Sequence, residues 1–263
     1  MKDSATAEIS LERLPKEQRE AWQTVLLILA DDELAAGHRA SEWLGLAPSV
    51  EEDIAFASIA QDELGHARFY YQWLARLENT DVDAFVFRRP SADWRNAVFL
   101  ERVRGDFAEA MLRVWLYDEW DAIRLKALAS CSFAPLAVGA KKMLREEEYH
   151  LEHARAWMKR LASGGEARVR LTTALAHSFP ALADLADFGS ANFVLPELLG
   201  VDIHSLRDEW KKEVAERLEA LRLVCPAWPE PQSGGRMGRH TEDMQELLST
   251  MTEVSRWLPE VSW

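Results

Sequence analysis

QDELGHAR at residues 61–68 and REEEYHLEHAR at residues 145–155 each contain a Glu-x-x-His motif, Glu63 with His66 and Glu147 with His150. Both lie inside long segments whose apolar residues recur with helical rather than alternating periodicity. On a helix this spacing puts carboxylate and imidazole on one face, a turn apart. With 7 His in the chain, about one such pair arises by chance, so neither motif carries weight alone. Their setting does. Phe56 and Ile59 lead to Glu63 and His66, then to Tyr70 and Trp73. Met143 and Leu144 lead to Glu147 and His150, then to Ala154 and Trp157. Two further apolar stripes are interrupted in the same way, one by Glu33 after Trp22, Leu26 and Leu29, the other by Asp118 after Met111, Val114 and Trp115. Glu119 is adjacent to Asp118 but lies about 100° away around the helix, off the stripe.

Around these stripes the chain divides into helices separated by clustered Gly and Pro. Pro15 to Leu44 reads as a first helix, and Val50 to Leu77 as a second with Ser49 and Glu52 as a capping box. Residues 80–96 read as irregular. A third helix starts at Ala97 or Asp106 and ends near Ser130, and a fourth runs from Pro135 to Ser163, stopped by Gly164 and Gly165. Glu33 precedes Glu63 by 30 residues and Asp118 precedes Glu147 by 29, so each half is a helical hairpin with one acid followed by one Glu-x-x-His. The expected fold is all-α: a ferritin-like four-helix bundle over residues 1–165, with a helical extension over 166–263 packed on the same domain. In the extension, helices are expected at Glu166 to Leu185, from a Ser205 and Asp208 cap to Val224, and from Thr241 to Leu258, with a connector at Gly189 to Gly200.

Four carboxylates and two imidazoles facing one core require compensation, because a buried unpaired charge is costly. A pair of divalent cations supplies it, with Glu63 and Glu147 as bridging carboxylates and Glu33, His66, Asp118 and His150 as terminal ligands. Oxygen and imidazole donors without thiolate suit two iron ions, or manganese, rather than structural zinc. A diferrous pair with an open position reduces O₂ and passes an oxygen atom to a substrate. The competing reading is a relic in which acids and histidines pair with one another.

The remaining composition limits the setting. The chain has 263 residues and a net charge of −13, which argues against duplex DNA or an anionic membrane as partner. No apolar run has the length of a membrane span, no signal-peptide pattern opens the chain, and Cys131 and Cys225 stand alone, so a cytoplasmic location is expected. His153 reads as a surface residue or as an orienting partner of the site. Arg39 reads as an anchor for an acidic ligand or as an ion pair with Glu42. The loop Gly234 to Arg239 reads as a holder of a phosphate or, preferably, as an interface with a partner. Among the 11 Trp, Trp73, Trp115 and Trp157 fall on core stripes, while Trp228 and Trp257 read as interface anchors. Residues 1–10 and 231–239 are expected to be mobile.

DDELAAGHRASEW (31–43), APSVEEDIAFASIAQDELGHAR (47–68), GGRMGRHTE (234–242) and the closing Leu258-Pro259 and Trp263 resemble the C subunit of the bacterial ring-1,2-phenylacetyl-CoA epoxidase. The resemblance implies a ferritin-like subunit in a multicomponent diiron monooxygenase of aerobic phenylacetate degradation. It also implies a related subunit as partner in a homo- or hetero-oligomer, a separate reductase as electron donor and an aromatic acyl-CoA as substrate. C subunits of that family are structural and have lost their ligands, whereas Glu33, Glu63, His66, Asp118, Glu147 and His150 match the pattern of the catalytic A subunit. The functions in contention are therefore an oxygenase component, a structural scaffold, and an iron- or peroxide-handling protein akin to ferritins or rubrerythrins.

Overall fold

The computed structural model describes residue 11 and residues 14–257. Segment 1–10, Leu258, Pro259 and Trp263 lie outside the described residues. Within them the chain is all-α, with no strand. Helix α1 (Lys16–Ser41) follows Pro15 and carries His38 and Arg39 in its last turn, where cations favour the helix dipole. Helix α2 (Val50–Leu77) is capped by Ser49, whose side chain accepts from the Glu52 N–H. The box is not closed, because the Glu52 carboxylate pairs with His153 at 2.8 Å. The segment read as irregular contains the short helix α3 (Val82–Phe87) and a 3₁₀ turn at Ser91–Asp93.

The third long helix begins at the later of its two expected starts. A four-residue turn, α4 (Val98–Glu101), stands apart from α5 (Phe107–Leu128), because Asp106 and Glu109 close a reciprocal capping box. Helix α6 (Ala134–Leu161) has Pro135 in its first turn. α1 packs along α2 and α5 along α6, giving the two expected hairpins of a ferritin-like bundle.

The C-terminal elements shield α5 and α1. Helix α7 (Gly165–Ser178) is shorter than expected and passes into a 3₁₀ segment, Phe179–Asp184, because Pro180 lacks the N–H an α-helix needs. The connector holds a 3₁₀ segment, Gly189–Val194, and α8 (Leu195–Leu199). Helix α9 (Ile203–Ala220) starts a turn before the expected Ser205 cap, since Asp202 accepts from the Ser205 N–H at 3.0 Å. The last expected helix is broken at Thr252 into α10 (Glu242–Met251) and α11 (Glu253–Trp257). α7 and α9 pack on α5, and segment 189–194 packs on α1. The two helices bearing single acids are thereby enclosed. Trp115 is buried in the core and Trp73 and Trp157 pack against it, as expected. Trp228 packs at a tilt on Phe179 and edge-on to Trp210 instead of standing free, while Trp257 is 83% exposed. Among the described residues no helix is long and apolar enough to cross a membrane.

Gly37 fixes the approach of α1 to α2 beside the site. A Cβ there would meet Glu63 Cβ at 3.0 Å and the Leu64 amide nitrogen at 3.2 Å, on a backbone that cannot step aside. Gly37→Ala is expected to destabilise the fold by about 1–3 kcal/mol, although alanine is the better helix former. Urea denaturation checks this, and an unchanged or raised midpoint would contradict it.

Candidate metal centre

The six expected residues converge. Glu33 on α1, Glu63 and His66 on α2, Asp118 on α5, and Glu147 and His150 on α6 are all buried. They form two overlapping groups whose donor atoms lie within 4.8 Å of one another: Glu33, Glu63 and His66, and Glu63, Asp118, Glu147 and His150. Glu63 belongs to both, the position of a bridging carboxylate. Glu147 is close to both imidazoles, its Oε1 3.3 Å from His150 Nδ1 and 3.8 Å from His66 Nδ1.

Each imidazole turns Nδ1 inward and Nε2 outward. His66 Nε2 meets Glu146 at 3.0 Å and His150 Nε2 meets Asp62 at 3.2 Å. Asp62 and Glu146 each stand one residue before the glutamate of a Glu-x-x-His, and each holds the histidine of the other hairpin. Such an outer carboxylate fixes the ring and raises its basicity toward a metal. His153 does not take this role, since it pairs with Glu52.

A metal-free test of fit comes from the polar atoms left over. Glu33 Oε2, Glu63 Oε2, Asp118 Oδ2, both Glu147 carboxylate oxygens and both histidine Nδ1 atoms are buried without a hydrogen-bond partner. Buried polar atoms are nearly always satisfied, so seven unpartnered atoms in one cluster form a donor set that a cation would satisfy. All seven are lone-pair donors of the kind iron or manganese takes. The residues fit a two-cation centre.

The electrostatics agree. Burial, with the charges of Glu33, Glu147 and Asp118, holds the Glu63 carboxyl well above its ordinary range. Burial and the charge of Glu147 do the same for Asp118. Burial would raise Glu33 too, but the nearby Glu63 carboxyl and His66 imidazole and the charge of Arg124 outweigh it, holding Glu33 at about 2. Burial opposes charge on His66, yet Glu33, Glu147 and Glu146 push it up to about 9. Protons thus occupy the place of cations.

Sequence reasoning misses the groups behind the ligands. Arg124 on α5 is fully buried and donates to Asp32 and Glu33 at 2.8 Å each, and to Asp121 and Tyr117. Its bond to Glu33 Oε1 leaves only Oε2 facing the cluster. Arg236, expected at an interface or on a phosphate, is buried instead, with bidentate bonds to Asp32 at 2.6 and 2.9 Å. It anchors the loop expected to be mobile. Arg39 makes the plainer of its two expected contacts, an ion pair with Glu42. Glu119 is buried but salt-bridged to Arg155 and Arg217, and stays outside the cluster.

A slot of about 20 Å³ lies against the cluster, lined by Trp43, Phe56, Ile59 and Tyr117 together with Glu63 and Asp118. The chain is similar to the C subunit of 1,2-phenylacetyl-CoA epoxidase from Escherichia coli (strain K12), 31% identical over 240 residues, which covers 90% of this chain and 97% of that one. The family model described as phenylacetic acid catabolic protein matches residues 8–263. With nearly its whole length matched, the chain belongs to the phenylacetic acid catabolic protein family.

Proposed function

We propose that this chain is a dimetal-binding component of a phenylacetyl-CoA ring-1,2-epoxidase, an oxidoreductase of aerobic phenylacetate degradation. The convergence of seven orphaned donor atoms from Glu33, Glu63, His66, Asp118, Glu147 and His150 carries this reading. Two iron ions are the favoured occupants, with manganese as the other candidate. Bound iron supplies O₂ reduction and oxygen-atom transfer to an aromatic ring.

The chain's own residues do the rest. Glu63 and Glu147 span the two halves of the cluster, and Asp62 and Glu146 hold the imidazoles in register. Arg124 keeps one oxygen of Glu33 turned away. The apolar walls of the slot exclude water, which strengthens every charge interaction inside. Electrons come from a separate reductase, because Cys131 and Cys225 are free and isolated and provide no iron–sulfur set. The enzyme is completed by a related subunit in the cytoplasm, and residues 166–263 belong to the same domain as the bundle.

The test is metal content after anaerobic ferrous loading of the full chain. About two ions per chain, lost in a Glu63→Ala/Glu147→Ala double variant that retains its helicity, are expected. Less than about a tenth of an ion per chain would overturn the reading and leave a scaffold with fossil ligands.

A further inference from the structure

Three indole rings run in contact from α5 to the surface. Trp120 on α5 and Trp210 on α9 have ring centroids 5.9 Å apart, and those of Trp210 and Trp228 are 5.0 Å apart. Trp120 stands two residues beyond Asp118 and one before Asp121, whose partner Arg124 also holds Glu33. Less than one helical turn of covalent chain thus joins it to the cluster. Trp120 and Trp210 are 0% and 1% exposed. Trp228 is half-buried and lines a surface depression of about 10 Å³ with Lys211. Among the described residues no other two indoles are paired. Trp43 reaches Trp157 only across Phe107, and Trp22 reaches Trp73 only across Phe133. A phenyl ring is much harder to oxidise than an indole, so those runs are broken for electrons.

The two inner indoles are also left in possession of their protons. Nε1 of Trp120 and Nε1 of Trp210 are buried without a hydrogen-bond partner. A buried N–H normally finds an acceptor, and its lack calls for a reason. An oxidised indole is a strong acid that gives up its N–H proton wherever an acceptor waits, and the radical is then trapped on that ring. Without an acceptor the ring keeps its proton and the electron moves alone. Trp43 and Trp94 also have unpartnered Nε1 atoms but adjoin no other indole. Trp115, on the same helix as Trp120, donates to Glu119 at 2.8 Å. Tyr117 borders Glu63 and Asp118 in the slot, but oxidation of a phenol needs its proton to leave. Arg124, which donates to that hydroxyl, has no lone pair to take it. At Trp228 the conditions change. Water reaches the ring, and Lys211 Nζ stands 5.6 Å from its centroid. That charge opposes a second positive charge on the ring, so an oxidised Trp228 sheds its proton to water and keeps the radical.

We propose that Trp120, Trp210 and Trp228 carry oxidising equivalents from the dimetal cluster to the surface, sparing the ligands when no substrate is present to take them. The inference rests on the proposed function, which supplies the cluster. Hydrogen peroxide reduced at the loaded cluster takes two electrons and two protons and becomes two waters. The electrons leave Trp228 one at a time through Trp210 and Trp120. Trp228 then adds the oxygen of a water, and two protons pass to solvent. In sum, one peroxide and one tryptophan become one hydroxytryptophan and one water. A thiol reductant at the surface refills the ring instead, two thiols becoming one disulfide.

The test uses the full-length protein, loaded anaerobically with ferrous iron and assayed for metal. It is then treated with hydrogen peroxide in the absence of thiol, digested and mapped for hydroxytryptophan by mass spectrometry. Oxidation is expected at Trp228 ahead of Trp257, although Trp257 is 83% exposed. Peroxide acting from solution gives the opposite order, which the metal-free protein is expected to show. Trp210→Phe, checked for retained helicity, is expected to lose the Trp228 product and keep its metal. The comparison of loaded and metal-free parent needs no variant, so a misfolded Trp210→Phe does not rescue the proposal. If the loaded protein oxidises Trp257 ahead of Trp228, or oxidises neither, the path is overturned while the dimetal reading stands. A Trp228 product that persists in folded Trp210→Phe protein overturns it as well. A chain that takes up no iron has no source of oxidising equivalents, and the path then falls together with the proposed function.

Discussion

Arg124→Met is expected to remove about 3–5 kcal/mol of folding stability, a large share of the roughly 5–15 kcal/mol that separates folded from unfolded chains. The guanidinium is wholly buried and faces three carboxylates at once, Asp32, Glu33 and Asp121. Methionine fills a similar space but leaves Asp121 without a cation, Asp32 with Arg236 alone and Glu33 with His66 alone. The cost comes from stranding buried anions, not from the worth of the pair itself. Arg124→Lys restores the charge but not the planar fork that serves three partners, so it is expected to recover only part of the loss. Urea denaturation measures both variants. Arg170→Met provides the contrast, since its pairs with Glu166 and Asp106 are exposed and contribute little. A loss at Arg124 no larger than that at Arg170 would show that the acids of α1 do not depend on this cation.

The ligands are legible in the sequence because a helix converts spacing into direction. Glu63 and His66, and Glu147 and His150, share a face by periodicity alone, and each interrupts an apolar stripe. Arg124 and Arg236 have no such signature. Apart from Asp121, three residues before Arg124, the acid they share, Asp32, lies 92 and 204 residues away in sequence, and pairing between distant elements leaves no period to find. The loop around Arg236 misleads for a related reason. Its glycines look like the requirement of a flexible turn, whereas a Cβ on Gly235 would meet the Asn96 carbonyl oxygen at 2.0 Å. Glycine is there for close approach. Asp62 and Glu146 do leave a readable signal, an acid before the glutamate in both hairpins, which the duplicated geometry explains. Helix ends are less legible, because competing caps sit side by side: Asp202 captures the Ser205 N–H before Ser205 can act as a cap itself.

Glu63→Gln separates a working cation site from a relic by the sign of its effect. In the metal-free protein Glu63 is buried among Glu33, Asp118 and Glu147, and its carboxyl titrates well above 4.5. A carboxyl whose folded-state affinity for protons is raised makes stability fall as pH rises above its unfolded value. Gln is isosteric, uncharged, and can still donate to Glu33. At pH 8 with chelator, the variant is therefore expected to be at least as stable as the parent. With metal the order reverses. Cations at about 100 times their dissociation constant add about 2.7 kcal/mol per site, so two ions raise the parent by about 5 kcal/mol. Glu63 belongs to both donor groups, and the variant is expected to lose most of that gain. In a relic, acids and histidines satisfy one another, so the same substitution would weaken the metal-free protein and metal would change neither form. Denaturation of parent and variant at pH 8, with chelator and after anaerobic ferrous loading, decides between them. A crossing of the two stability orders requires bound cations, because no rearrangement of protons among the side chains stabilises the parent while sparing the variant.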